Sequence, residues 1–282
     1  MDKAGTLYVV ATPIGNLEDI TLRAIRILRE VSLVAAEDTR RTRILLKHYD
    51  IRTPVTSLHE QNELSKTPFL LDKIKKGQDI ACVTDAGTPA ISDPGYPLIH
   101  NAVKAGIEVV PIPGVSAAIT ALSVSGLPMD HFVFQGFLPP TKGKKKAVLL
   151  SIADDRRTQI FYESPKRLLG TLKDIETWLG NRFVVVAREL TKLHEEVVRG
   201  DVAEVICAFE GRVIKGEITL VVAGKKSVSE TENPEARIQA MMVSLSREQG
   251  LSRRDMVDRI TADLGFPRKM VYHALLRFYG GS

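Results

Sequence analysis

Short runs of Val, Ile, Leu and Ala alternate with helical patterns along most of the chain, and this alternation is the feature that most limits its fold. In the first part the runs are TLYVVA, LVAAE, IACVTD and EVVPI, at residues 6–11, 33–37, 80–85 and 108–112. Helical windows lie between and after them, at residues 21–31, 40–49, 65–76 and 96–105. Continuous apolar strands separated by helices predict an α/β fold with a mostly parallel sheet covered on both faces.

The same style of pattern continues without repeating the sequence. Later apolar runs are FVFQGFL, QIFYE, FVVVARE and ITLVVAG, at residues 132–138, 159–163, 183–189 and 218–224. A connecting helix is predicted within residues 113–126 and a charged, turn-prone linker at 224–236, followed by a helical tail. We therefore predict two α/β domains, at residues 1–118 and 119–226, and a small helical domain at 235–282.

Composition narrows the class of protein. The chain has 282 residues, 44% of them hydrophobic and 26% charged, which favours a globular protein of more than one domain. No apolar run approaches the roughly 18 residues of a membrane span, and the early first strand argues against a signal peptide. Cys82 and Cys207 lie in apolar contexts and are predicted to be buried thiols in a reducing cytoplasm. The net charge of +5 permits an anionic partner without requiring one.

Several polar loops directly follow predicted strands. They are TPIGN, EDTRR, DAGTPAISDPG and PIPGVSA. Ligands of open parallel sheets bind at the carboxyl ends of the strands, so these loops are predicted to share one crevice. The chain has no Walker loop, no G-x-G-x-x-G fingerprint and no G-x-S-x-G elbow. The two carboxylates of the third loop would also repel a polyphosphate.

Asp85 and Asp93 of that third loop have two interpretations. Asp85 can accept hydrogen bonds from an ammonium group or a ribose, and the glycines let backbone groups approach a ligand closely. Alternatively both residues cap turns and the next helix, which is the commonest role of Asp in such places. For Asp93 we retain the capping role.

Two other polar motifs also have more than one interpretation. EDTRR, at residues 37–41, is either a local salt-bridge cluster or part of a site. In SLHEQNE, His59 and Glu63 have the i, i+4 spacing of a helical metal pair, but no third ligand is evident and no metal site is predicted.

The pattern of the tail predicts two helices, LSRRDMVDRITADLG and FPRKMVYHALLRF. Ser252 is a natural N-cap, and apolar positions of both helices are predicted to pack together. Residues 235–282 hold eight lysines and arginines against five acidic residues. A helix-turn-helix-like module that contacts RNA through Arg268 and Lys269 is one interpretation, and a dimerisation or capping pair is the other.

The motifs together resemble the ribosomal RNA small subunit methyltransferase I family, a 2'-O-ribose branch of the tetrapyrrole methylase superfamily. The resemblance runs from about residue 6 to residue 224. It rests on TPIGNLEDITLRA, AAEDTRRT, LHEQNE, VTDAGTPAISDPGYPLI, PIPGVSAAITALSVSGLP, FVFQGFLP, IFYESPKRL and ARELTKLHEEVVRG. Lys166 departs from the family pattern, which has a histidine there, so that position is not a candidate base.

The resemblance implies two α/β/α domains with S-adenosylmethionine bound in the cleft between them. It also implies a cytoplasmic homodimer that methylates a cytidine ribose in the decoding region of 16S rRNA within the small ribosomal subunit. The cofactor-binding residues carried over by motif are Pro13, Asp85, Thr88, Ser116, Ala117, Tyr162 and Glu217.

A ribose hydroxyl is a weak nucleophile, so a nearby general base would assist the transfer. The candidates are Asp38, ranked first, and Glu37, Glu60 and Glu189. The candidates for contact with RNA in the two α/β domains are Arg23, Arg40, Asn62, Arg188 and Lys192. Two rivals remain: a methylase of the same fold acting on a tetrapyrrole or a protein, and a non-catalytic nucleic-acid-binding protein.

Overall fold

Two five-stranded sheets form the body of the protein. The computed structural model describes residues 4–225, 234–246 and 251–280. The strands of the first sheet are β1 Leu7–Val10, β2 Leu33–Ala36, β3 Val55–Ser57, β4 Ile80–Val83 and β5 Val109–Ile112. Its helices are α1 Leu22–Glu30, α2 Thr39–His48, α3 Glu63–Lys75 and α4 Tyr96–Lys104, and α5 Ala117–Ser123 follows β5.

The first sheet is parallel throughout, with strand order β3-β2-β4-β1-β5. Successive residues of β4 point to opposite faces. Ala81 and Val83 pack in the cluster that includes Ala24, whereas Ile80 and Cys82 pack against Leu70. Both faces are therefore covered by helices, and the predicted parallel α/β sheet is confirmed here.

The second sheet is mixed, and for it the prediction of a mostly parallel sheet was wrong. Its strands are β6 Phe132–Phe137, β7 Thr158–Glu163, β8 Phe183–Arg188, β9 Glu196–Asp201 and β10 Ile218–Val222. Their order is β6-β7-β10-β8-β9, and only β6 and β7 pair in parallel. Helices α6 Lys142–Ser151, α7 Leu168–Leu179 and α8 Val202–Phe209 accompany this sheet. Continuous apolar strands arose here because both faces are covered, not because the strands are parallel.

The connecting helix α5 joins the two sheets. Its Ala118, Ala121 and Leu122 pack against Ile160 and Val221 of the second sheet rather than against the first sheet. The first residue of α5 therefore lies between the carboxyl end of β5 and the second sheet. This placement positions the candidate site described below.

Cys82 is buried as predicted, and desolvation raises the pKa of its thiol to about 12. Cys207 is exposed, so the prediction of two buried thiols was wrong for it. The buried face of α8 consists of Val202, Val205, Ile206 and Phe209, and Cys207 falls on the other side of the helix.

The tail is a separate compact unit. It holds α9 Pro234–Leu245, α10 Arg253–Leu264 and α11 Arg268–Gly280 around one apolar cluster. Ser252 caps α10 as predicted, in a capping box with Asp255. Met270 is exposed, contrary to the predicted packing, while Val271 and Leu275 are buried. Most of the predicted linker lies outside the described residues, and no described helix is long and apolar enough to cross a bilayer.

Candidate functional site

A cavity of about 360 Å³ lies where the carboxyl-end loops of the first sheet meet the second sheet. Gly87, Thr88 and Ser116 line it from the first sheet's loops, and Tyr162 and Ala187 line it from β7 and β8. Three of the four loops that were predicted to share one crevice, TPIGN, DAGTPAISDPG and PIPGVSA, line this cavity, whereas EDTRR does not. Its volume lies within the range of small-molecule sites in proteins.

Five of the seven predicted cofactor-binding residues line this cavity. They are Thr88, Ser116, Ala117, Tyr162 and Glu217. The other two, Pro13 and Asp85, line an adjacent groove of about 260 Å³ that also includes Arg41 and Lys192. We call this second feature the Arg41 groove. Asp85 faces Arg41 across 3.5 Å and accepts the backbone N–H of Asp38 at 3.0 Å.

A two-residue bridge holds the floor of the cavity. Thr12 and Gly87 exchange both backbone hydrogen bonds, each 2.9 Å long, and the Thr12 hydroxyl donates to the Thr84 carbonyl at 3.0 Å. Gly87 has a φ of +83°, which a side chain would disfavour. The TPIGN loop and the DAGTPAISDPG loop are thereby fixed to each other.

The second half of the DAGTPAISDPG loop is strained. Ala90 and Ser92 both have left-handed φ angles, 67° and 65°, although neither is glycine. Such residues cluster at functional sites, where surrounding contacts hold them. Gly95, not Asp93, is the N-cap of α4, and its N–H donates to Glu63 at 2.9 Å. The prediction that Asp93 caps this helix was therefore wrong, and its side chain lines the cavity instead.

A second strained loop borders the cavity from the other sheet. Glu189 and Thr191 have φ angles of 51° and 66°. The Glu189 carboxylate accepts the Glu217 N–H at 3.0 Å and pairs with Lys192 at 2.9 Å. The Thr191 hydroxyl accepts the N–H of Asn16, so this loop is also tied to the TPIGN loop. Contacts between the two sheets thus hold both sides of the cavity.

Tyr162 forms an aromatic wall of the cavity. Its ring contacts Phe134 and Phe137, with centroids 4.9 and 5.6 Å away. Burial raises the pKa of its hydroxyl, which lies by Ser116 and the backbone of Ala118 at the start of α5. The ring offers a face for a planar heterocycle, and the hydroxyl lies beside the start of the connecting helix.

An acidic groove of about 460 Å³ opens beside the cavity. It is lined by Glu37, His59, Glu60, Gln61, Glu63, Ala90, Ser92, Asp93 and Pro94. Ser92 and Asp93 line both the cavity and this acidic groove. Glu37 accepts hydrogen bonds from the Thr84 hydroxyl at 2.6 Å and from the Asp85 N–H at 3.2 Å. The two motifs EDTRR and HEQNE therefore meet at one surface.

The four predicted base candidates separate into two pairs. Glu37 and Glu60 line the acidic groove. Asp38 instead caps α2 and pairs with Arg40 at 2.7 Å, which lowers the pKa of its carboxyl far below the usual range. Glu189 pairs with Lys192, which lowers its pKa as well. A carboxylate with a lowered pKa is a weak proton acceptor, so Asp38 and Glu189 are poor bases in this arrangement.

Most residues predicted to contact RNA have partners within the chain. Arg40 pairs with Asp38, Arg188 with Glu196, Lys192 with both Glu189 and Glu217, and Arg268 with Asp258. Asn62 accepts the His59 N–H and donates to the Ser57 hydroxyl, so it shapes the turn before α3. Arg23 and Lys269 are exposed on α1 and α11. Arg268 and Lys269 belong to the separate tail unit.

Sequence reasoning missed two acidic residues of the cavity, Asp93 and Glu163. Glu163 is buried beneath the cavity and accepts hydrogen bonds from Thr171 at 2.6 Å and from the Ser164 N–H at 2.8 Å. Asp93 belongs to the loop DAGTPAISDPG, which directly follows a predicted strand. That position was the signal that could have identified it as a residue of the cavity. For Glu163 the sequence offered no such signal, because this residue is simply the last one of the predicted strand QIFYE.

Comparisons with known proteins place the sequence in a family. The family described as Tetrapyrrole (Corrin/Porphyrin) Methylases matches residues 6–206. Ribosomal RNA small subunit methyltransferase I of Halalkalibacterium halodurans is 46% identical over 274 residues, covering 96% of this chain and 95% of that protein. The protein of the same name from Thermotoga maritima is 50% identical over 222 residues, 79% of this chain and 100% of that protein.

Solved structures show the same fold at much lower identity. Uroporphyrin-III-C-methyltransferase from Thermus thermophilus aligns with a TM-score of 0.55 and 21% identity, covering 78% of this chain and 94% of that chain. Diphthine synthase aligns with a TM-score of 0.58 and 15% identity, covering 78% of this chain and 90% of that chain. These two likenesses concern the fold alone.

Proposed function

Because this chain belongs to the tetrapyrrole methylase family, and within it to the ribosomal RNA small subunit methyltransferase I group, we propose that it methylates the ribose 2'-hydroxyl of a cytidine in the decoding region of 16S rRNA. S-adenosylmethionine is the proposed methyl donor. When bound, it supplies an electrophilic methyl group on a positively charged sulfur. The role of the chain is to bind this donor, orient the ribose and accept the proton of its hydroxyl.

The chemistry of the cavity lining is the observation that supports this proposal. Asp93 and Glu217 line the cavity, and no Lys or Arg does so among the residues that the structure describes. Such a lining disfavours a nucleotide polyphosphate and suits a ligand that carries an ammonium and a sulfonium group. Tyr162 and Phe137 provide apolar surface for an adenine ring. S-adenosylmethionine combines these groups in one molecule.

The backbone around the cavity suits the same ligand. Ser116 and Ala117 stand at the start of α5, where backbone N–H groups have no partner within the helix. Thr88 and Gly216 line the cavity from opposite sides. We propose that Thr88, Ser116, Ala117, Tyr162 and Glu217 hold the donor, and that Pro13 and Asp85 act from the Arg41 groove.

Methyl transfer by the purified protein is the direct test. Small ribosomal subunits that lack the modification are incubated with S-adenosylmethionine labelled in its methyl group, and ribose methylation is mapped on the RNA. Label at a single cytidine ribose of 16S rRNA is the expected result. Uroporphyrinogen and a protein extract serve as alternative acceptors. Transfer to either of these but not to RNA, or binding to RNA with no transfer to any acceptor, contradicts the proposal.

The assembly and location follow from the same proposal. We propose a homodimer acting on small ribosomal subunits in the cytoplasm. The mass of the purified protein in solution, measured by light scattering, tests the dimer. A mass of about 31 kDa would be that of one chain and would contradict it.

Removal of the tail is expected to separate donor binding from RNA methylation. A chain ending at residue 230 keeps the body, which is a compact unit by itself, and loses residues 231–282, which carry an excess of two positive charges. Each lost phosphate contact weakens RNA binding, so we expect methylation of small subunits to fall about ten-fold or more. S-adenosylmethionine affinity, measured by calorimetry, should stay within about two-fold of that of the full chain.

The Thermotoga maritima relative supports the design of this truncation, because 222 residues of this chain match its entire length. The matched control is the single variant Lys269→Glu, which keeps the tail and changes one exposed charge. We expect it to weaken RNA binding less than the truncation does. The affinity of this variant for RNA should also depend less steeply on salt concentration than that of the unaltered chain. Unchanged methylation by the truncated chain would contradict a role of the tail in RNA binding.

A further inference from the structure

Asp93 lies at the boundary between the cavity and the acidic groove. Ser92 and Asp93 line both features. A ribose that enters through the acidic groove reaches a donor in the cavity by passing this boundary. The Asp93 carboxylate therefore lies beside the path of the ribose hydroxyl towards the methyl group in the proposed reaction.

Three carboxylates line the cavity, and their partners differ. Glu163 accepts hydrogen bonds from Thr171 and Ser164 and faces Arg167 at 3.3 Å. Glu217 pairs with Lys192 at 3.0 Å. Asp93 has no ion pair within the described ranges 4–225, 234–246 and 251–280. It is thus the cavity carboxylate whose lone pairs are not already held by a cation.

The surroundings of Asp93 make it a stronger proton acceptor than an ordinary aspartate. Partial burial raises its pKa to about 6, and nearby negative charges add to this effect. The titratable groups that face it are Glu37 from the end of β2, Asp85 after β4, Glu217 before β10 and Tyr162 on β7, with His59, Glu60 and Glu63 across the acidic groove. A base with a pKa close to the working pH is the most effective one.

The Thr84 hydroxyl connects Asp93 to Glu37. It donates its proton to Glu37 at 2.6 Å and also lies within hydrogen-bonding reach of Asp93. The Thr84 contact lowers the pKa of Asp93 and so opposes the larger effect of burial. The raised pKa of Asp93 therefore comes from its partial burial and from the negative charges near it.

We infer that Asp93 is the general base that takes the proton from the ribose 2'-hydroxyl, an inference that rests on the proposed function. As the O–H proton moves to Asp93, the oxygen forms its bond to the methyl carbon, and the carbon–sulfur bond breaks with its electron pair staying on sulfur. The products are the 2'-O-methyl ribose, a neutral thioether and protonated Asp93. The proton then leaves Asp93 through the acidic groove to water.

The Asp93→Asn variant tests this inference. It keeps the size of the side chain and removes its basicity, so kcat for methylation of small subunits should fall by about 10²- to 10⁴-fold. The Kd for S-adenosylmethionine, measured by calorimetry, should rise by far less than kcat falls, by about ten-fold at most, because Glu217 still supplies negative charge in the cavity. In the unaltered chain kcat should fall below about pH 6 with unit slope, and this limb should be missing from the residual rate of the variant.

The control is Asp72→Asn, which removes an exposed carboxylate of α3 that pairs with Lys76. It should keep both kcat and its pH profile. If Asp93→Asn keeps the kcat and pH profile of the unaltered chain, the inference is overturned while the proposed function stands. If it loses activity only through weaker donor binding, Asp93 holds the donor and is not the base. If the unaltered chain transfers no methyl group, the proposed function itself fails.

The stability of the protein provides a second readout that needs no substrate. The pKa of Asp93 is higher in the folded chain than in the unfolded chain, so between about pH 4 and pH 6 the folded chain holds a proton that the unfolded chain has released. Unfolding free energy should therefore fall with rising pH across this window, and the fall should be smaller in Asp93→Asn. If the unfolding free energy of both proteins has the same pH dependence, the pKa of Asp93 is not raised in the folded chain, and the inference loses its support.

Discussion

The Gly216→Ala variant is expected to bind S-adenosylmethionine about ten-fold or more weakly, a loss of about 1.4 kcal/mol or more. Gly216 lines the cavity and has a φ of +89°, a conformation that costs an L-residue about 1–2 kcal/mol. A β-carbon there would also overlap the Glu189 carboxyl. Glu189 would have to release the Glu217 N–H and Lys192, so the cavity wall beside Glu217 would lose its support. Calorimetric titration measures the effect.

Gly211→Ala is the matched control for this prediction. Gly211 has a similar φ of +73°, but a β-carbon at this position would meet no atom within 4 Å, and it is not part of the cavity. It carries the conformational cost without the collision. Both variants should lose stability, but only Gly216→Ala should lose donor affinity. Equal donor affinity in the two variants would show that the Glu189 contacts do not support the site.

The Glu163→Ala variant is expected to lose about 1–3 kcal/mol of unfolding free energy, the usual cost of leaving a buried hydrogen-bonding group without its partner. The Glu163 side chain is fully buried. Its loss leaves Arg167 without a counter-ion and the Thr171 hydroxyl without its acceptor. Arg167 also donates to the Leu138 carbonyl after β6, so the loop beside Phe137 should loosen too. Urea denaturation measures the loss of stability.

The control is Glu30→Ala, which breaks the exposed pair between Arg26 and Glu30 on α1. An exposed pair of this kind contributes about 0–1 kcal/mol, so the control should remain close to the unaltered protein. A loss below about 1 kcal/mol in Glu163→Ala would mean that water or a neighbouring group replaces the carboxylate. The buried cluster under the cavity would then be less important for folding than its contacts indicate.

Much of the fold could be predicted because buried strands and amphipathic helices leave periodic patterns. The two strands that escaped prediction, β3 Val55–Ser57 and β9 Glu196–Asp201, are edge strands of their sheets. An edge strand is covered on fewer sides, so its sequence can be polar and short. Strand direction in the second sheet was also unpredictable, because β8 and β10 are buried on both faces although they pair antiparallel.

The candidate site was only partly predictable. The loops that surround the cavity follow strands whose ends could be located from the sequence, and Thr88, Ser116 and Tyr162 do line it. The partners of each carboxylate could not be located, because they depend on pairings such as that of Glu217 with Lys192, which are 25 residues apart. Asp93 stands out only because Glu163 and Glu217 have cationic partners, whereas Asp38 pairs with Arg40, two residues away.

About half of the residues that line the cavity are small, among them Gly87, Ser116, Ala117 and Gly216. With a wall of this kind, ligand recognition depends more on the conformation of the main chain than on the identity of the side chains. Evolution can then exchange most of the sequence while the turns keep their conformation. We expect substitution to be slowest where a turn requires a left-handed residue, as at Gly87 and Gly216.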